Sequence, residues 1–187
     1  MSSRHKKLVP NFALSKFNKN DAEINSNFFL TAMTINVKAQ NQSQMTINQE
    51  APVAQKNEIV IKATLEKVWH ILTNIESWDK WNERIKKPIL NDNLEVGNTF
   101  TWKTNGSKIK SKIHSLTPNK ILGWQGKAFG ASAIHNWYLE PTENGTRVRV
   151  EESMEGWIIN LMKKKMNEKL AEDMLYWLEQ LKKECEK

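Results

Sequence analysis

The residues best suited to chemistry lie on one stretch, IHNWYLEPTENGTRVRVEE, residues 134–152. Asn144-Gly145 is a strong hairpin signal, because the favoured two-residue turn needs positive φ at both central positions. With that pair as the loop, Leu139 is expected to face Val150, Trp137 to face Glu152 and His135 to face Met154. Tyr138, Glu140, Arg149 and Glu151 then share a polar side of the sheet, and the opposite side is apolar except for His135 and Glu152. In this register the two lie diagonally, about 7–8 Å apart along the backbone and within side-chain reach. An imidazole and a carboxylate so placed suit acid/base work on a bound substrate. They equally suit a buried hydrogen-bonded pair, or rim groups that orient a ligand. In a dry core the pair is costly unless partnered, so its presence on the apolar side points to a cavity.

Other chemistries find no support in the sequence. The histidines are far apart and none stands at metal-ligand spacing with another ligand, so no metal site is expected. The single cysteine, Cys185, excludes an internal disulfide. Glycine-rich phosphate loops, a nucleophile elbow and paired carboxylates at hydrolase spacing are all missing, and no cofactor is implied. The formal net charge of +7 divides into +3 over residues 1–52 and +4 over residues 53–187. Lys108, Lys110 and Lys112 alternate along a strand, and Lys163-Lys164-Lys165 form a run. Both read as solvated faces rather than phosphate-binding patches, and no nucleic-acid partner is expected.

The elements that must position His135 and Glu152 are legible. NEIVIKA (residues 57–63) alternates as a strand. Thr64 caps a following helix with Leu65, Val68, Trp69 and Leu72 on one face. A second short helix is expected over IESWDKWNERI, with Trp78 and Trp81 on one side. Short strands follow at KPILN, NTFTWKT, SKIKSKIHSL and KILGWQG, with Asn105-Gly106 as a second hairpin turn. Short connections make neighbours antiparallel. A single helix is expected over about residues 157–184. Its stripe is Ile158, Met162, Met166, Leu170, Met174, Leu178, Leu181 and Cys185. Such a stripe must be buried, and the apolar face of the sheet is the surface on offer. Trp69, Trp78 and Trp81 are expected to be core. Trp102, Trp124 and Trp137 point inward from strands and, with Met166, are candidates for the wall of a ligand cavity.

Residues 1–52 are rich in Asn, Gln, Ser and Thr and lack periodicity, so they read as a poorly ordered tail ahead of a domain at 53–187. Within the tail, FFLTAMTINVKAQ resembles a weak secretory signal, and Met33 and Met45 are alternative starts. A cytoplasmic location is expected, with export as the alternative if residues 28–39 act as a signal. No stretch approaches the length of a membrane-spanning helix, so stable membrane insertion is not expected.

The order of elements resembles the helix-grip superfamily, which includes the birch pollen allergen, the START domains and the aromatase/cyclases. Within it, the chain resembles the SRPBCC group's polyketide cyclase/dehydrase and lipid transport family. The residues carrying the likeness are IVIKATLEKVWHILTNIESWDKWN (59–82), ILGWQGK, HNWYLEPTENGTRV and EESMEG. One departure is Glu83, where the family often has proline. The resemblance implies an α+β fold: a curved antiparallel sheet wrapped around a long C-terminal helix, with two short helices after the first strand. It also implies an apolar or aromatic small-molecule ligand, lipid-like, held between sheet and helix by a monomer or weak dimer. Its members are mostly binders and carriers, with a minority of enzymes, so fold alone does not choose. Three readings stand. One is a binding or carrier protein with Trp102, Trp124, His135, Trp137, Glu152 and Met166 around the ligand. The second is a cyclase, dehydratase or isomerase using His135 and Glu152. The weaker third is a regulatory partner in which the cavity is incidental.

Overall fold

A computed structural model describes residues 44–187. Strand β1 (Val53–Ile61) leads into α1 (Leu65–Thr73), a 3-10 turn (Ile75–Ser77) and α2 (Trp78–Trp81). The meander that follows comprises β2 (Lys86–Leu90), β3 (Thr99–Thr104), β4 (Ser107–Thr117), β5 (Ile121–Ala128), β6 (Ala131–Thr142) and β7 (Gly145–Gly156). Helices α3 (Trp157–Leu161) and α4 (Lys163–Cys185) close the chain. The sheet is seven-stranded and antiparallel, in the order β1-β7-β6-β5-β4-β3-β2. This is the α+β helix-grip architecture expected from the sequence.

Local chemistry accounts for the elements. The Thr64 hydroxyl accepts from the Lys67 amide at the start of α1, and Glu66 sits in the first turn where the helix dipole favours it. Asn105 and Gly106 both have positive φ, 49° and 78°, and Thr104 pairs with Ser107 around them, as a two-residue hairpin requires. The other Asn-Gly pair behaves differently. Thr142 pairs with Gly145, so Glu143 and Asn144 form the loop, and of the Asn144-Gly145 pair only Gly145 has positive φ. A Cβ at Gly145 would lie 2.1 Å from the Ile61 carbonyl oxygen, so closeness to the end of β1 requires glycine there. The register is therefore shifted by two residues from the sequence expectation. Leu139 pairs with Val148, Trp137 with Val150, and His135 directly with Glu152. A shift of two keeps every side chain on its expected face.

A bulge in β4 corrects the alternation of SKIKSKIHSL. Ile113 pairs with Trp124 but Ser115 pairs with Gly123, leaving His114 as the extra residue. Leu116 thereby turns inward opposite Leu122, and Ser115 turns outward.

The C-terminal helix is also not continuous. Met162 has φ −114° and ψ 21°, which separates α3 from α4. On α3 Ile159 is buried while Trp157 and Leu161 are exposed. Helix α4 has 23 residues, about 35 Å, and buries Leu170, Met174, Trp177, Leu178, Leu181 and Cys185 against the inner face of the sheet. Burial pushes the Cys185 thiol up to about 12.

Of the expected tail, residues 1–43 lie outside the described part, and the signal-like segment falls among them. Residues 45–48 lie along the outer face of the sheet, and the Pro52 carbonyl accepts from Asn167 of α4. Ile47 is buried, the Asn136 side-chain amide donates to the Met45 carbonyl, and the Asn48 amide donates to the Ser153 hydroxyl. Among the described residues, no helix is long and apolar enough to cross a membrane.

Candidate functional site

Between the inner face of the sheet and the N-terminal half of α4 lies a cavity of about 200 Å³. Its origin is a gradient of side-chain size along two adjacent strands. The inward pairs of β5 and β6 run Leu122–Trp137, Trp124–His135, Gly126–Ala133 and Ala128–Ala131. Large residues meet the helix at one end, and residues with almost no side chain leave space at the other. Met166, Leu170 and Met174 roof that space from α4. The walls are Trp102, which donates its indole N–H to the Ser111 hydroxyl at 3.1 Å, and Trp124.

His135 and Glu152 sit at the step in this gradient, and both line the cavity. The His135 Nδ1 lies 2.5 Å from Glu152 Oε2, with the side chains 10% and 14% exposed. A carboxylate only accepts, so Nδ1 carries the proton and donates it to Glu152. The imidazole lies flat on Trp124, with ring centres 4.4 Å apart and planes 13° from parallel. Stacking and hydrogen bond together fix the ring, and leave Nε2 buried with no hydrogen-bond partner among the described residues. An acceptor held in that way suits a single donor on a ligand, or a proton in transit.

The structure brings together five of the six sequence candidates: Trp102, Trp124, His135, Glu152 and Met166 all line the cavity. Trp137 does not. It is fully buried one layer below, with its ring 5.6 Å from His135 and 5.8 Å from Trp177. Trp177 itself was not among the candidates. Its ring meets Trp78, Trp81, Trp102, His135 and Trp137, which makes it the hub of the aromatic cluster. The signal for it was present, since Leu170, Met174, Trp177 and Leu181 recur at helical spacing.

A polar rim had no local signal. Arg84, in the loop after Trp-Asn, donates to Asp173 at 2.8 Å across 89 residues of sequence. Lys169 reaches the same carboxylate at 2.6 Å, and Asn105 donates to its second oxygen. All four residues border the cavity. Glu83, the departure from the family pattern, accepts from the Tyr176 hydroxyl at 3.1 Å, while Arg84 lies over the Tyr176 ring. The loop is thus tied to α4 by side chains. Among the described residues, no cluster of His, Cys, Asp and Glu is arranged to hold a metal ion.

Comparison with curated proteins returns no match. Among solved structures, a hypothetical protein of Helicobacter pylori superposes with a TM-score of 0.66 at 20% identity, covering 76% of this chain and 98% of that one. The Zhui aromatase/cyclase from a Streptomyces species gives a TM-score of 0.63 at 11% identity, covering 71% and 93%. A START superfamily protein from Mycobacterium smegmatis gives 0.58 at 11% identity, covering 71% and 97%. These likenesses establish the fold. The family model described as polyketide cyclase/dehydrase and lipid transport matches residues 53–186. The chain belongs to that family.

Proposed function

We propose that the protein binds a compact aromatic or apolar small molecule in the cavity beneath α4, with a polar end of the ligand donating to His135 Nε2. The observation that carries this reading is the fixed, buried His135 Nε2, without a partner among the described residues, beside the apolar wall that Trp102, Trp124, Met166 and Met174 give the cavity. Size narrows the ligand class. An apolar cavity of about 150 Å³ holds one benzene ring. A cavity of about 200 Å³ suits a molecule of one or two rings, or one end of a lipid-like chain.

The same geometry supports an acid/base reading. His135 Nε2 would take a proton from the ligand, and Glu152, already accepting from Nδ1, would stabilise the resulting imidazolium. A dehydratase, cyclase or isomerase step needs such a group. Binding is the simpler reading because one hydrogen-bonded dyad is enough for orientation.

Titration with 2-naphthol and with naphthalene, followed by tryptophan fluorescence, tests the proposal. 2-Naphthol is expected to bind more tightly than naphthalene, and His135→Ala to remove that difference by weakening 2-naphthol about tenfold, one hydrogen bond's worth. Equal binding of the two compounds by the folded wild-type protein would overturn the role given to His135.

A further inference from the structure

The β5–β6 turn and the short helix α3 expose an apolar surface that the cavity does not explain. Phe129 is 91% exposed, Leu161 78% and Trp157 68%. These are the three most exposed large apolar side chains among the described residues. They converge. Trp157 lies over Gly130, where a Cβ would stand 2.3 Å from its indole nitrogen, so glycine at φ 75° lets the ring settle against the turn that carries Phe129. Leu161 follows Trp157 by four residues on α3 and shares its face. Phe129 itself holds φ 44°, a strained conformation for a bulky residue, and buries nothing in return. Exposed apolar side chains gathered in this way mark an interaction surface.

The charges around the patch have one sign in excess. Lys163, Lys164 and Lys165 open α4, are exposed, and have no acidic residue beside them in the first turn, where the helix dipole already disfavours cations. Lys127, two residues from Phe129, stands directly opposite Lys110 on β4. Among the described residues none of these five lysines forms an ion pair. The nearest carboxylates in sequence are Glu155, which accepts from the Asn48 side chain, and Glu168. Aromatic and leucine side chains projecting from a basic surround match the headgroup boundary of an anionic membrane. A second copy fits poorly, because a two-fold contact would bring together two surfaces of the same net sign.

We propose that this end of the molecule docks on an anionic bilayer surface, with Phe129, Trp157 and Leu161 entering the headgroup boundary and the lysines facing the phosphates. Ala128, Ala131 and Met166 line the cavity and neighbour these residues in sequence, so docking would set the open end of the cavity against the lipid. Apolar ligands could then pass between membrane and protein without crossing water.

The test is co-sedimentation with vesicles of phosphatidylcholine alone and of phosphatidylcholine mixed with phosphatidylglycerol. Binding is expected to the anionic vesicles only, and to fall with added salt. Replacing Lys163, Lys164 and Lys165 with Gln should weaken it about a hundredfold. Phe129→Ser with Leu161→Ser should weaken it at least about tenfold. A spin-labelled lipid should quench part of the tryptophan emission in the wild type, and Trp157→Phe should abolish that quenching. Failure of the folded protein to bind anionic vesicles would overturn the proposal. So would equal binding to both vesicle types, unchanged binding by the Phe129/Leu161 variant, or self-association that this variant removes. Naphthol binding measured without vesicles reports on the cavity separately, and is expected to be unchanged in every variant named here.

Discussion

The two halves of helix α4 meet the same sheet and do opposite things. The C-terminal half buries Leu178, Leu181 and Cys185 in the core cluster that also holds Ile61, Val68, Leu72 and Val148. There the short helix α1 fills the space the curved sheet leaves. The N-terminal half meets Gly126, Ala128, Ala131 and Ala133, and a cavity remains. What differs is the volume supplied from the strands, not the apolar character of the helix stripe. The sheet thus leaves space where its inward residues are too small to reach the helix. His135 and Glu152 sit at the boundary between the filled and the open half.

The largest expected effect breaks the closed half. Leu181 is fully buried, and Leu181→Ala should cost about 2–5 kcal/mol in urea unfolding. Leu170 borders space that already exists, so Leu170→Ala should fall near the low end, about 2 kcal/mol. Equal losses at the two positions would mean the two halves are packed alike.

A smaller effect concerns the outer face. His114 lies half-buried at the β4 bulge, and burial holds its pKa below the ordinary 6.5. The unfolded chain therefore takes up the proton at higher pH than the folded one. This contribution is fully present above pH 6.5 and is lost as pH falls through the lowered folded value. Thermal melts of wild type and His114→Gln should diverge at neutral pH and converge as the pH is lowered below that point. A constant separation would place the pH dependence on other groups.

Much of the architecture is legible in the sequence. Alternation, the Thr64 cap, Asn105-Gly106 and the helical stripe are local signals, and local signals survive folding. The Asn144-Gly145 hairpin was displaced by two residues because Gly145 answers to the Ile61 carbonyl, a contact from a strand distant in sequence. The break at Met162 was hidden because the stripe continues through it in sequence while Met162 itself is 36% exposed. The His135–Glu152 pair was legible because a polar residue on an apolar face is conspicuous. Arg84 and Asp173 were not, since each alone reads as an ordinary surface charge and only the tertiary fold joins them. The glycine and alanines that make the cavity are equally silent in sequence, because a small residue on a strand announces no particular face.

Those small residues carry the most direct test. Ala133 faces the open half opposite Gly126, and Ala133→Phe should fill the cavity as the Leu122–Trp137 pair fills the closed end. Binding of 2-naphthol should then drop by at least about tenfold, with the melting temperature held or raised. An Ala133→Phe protein that folds and still binds 2-naphthol like the wild type would contradict the account, because the ligand would then lie somewhere other than beneath the helix.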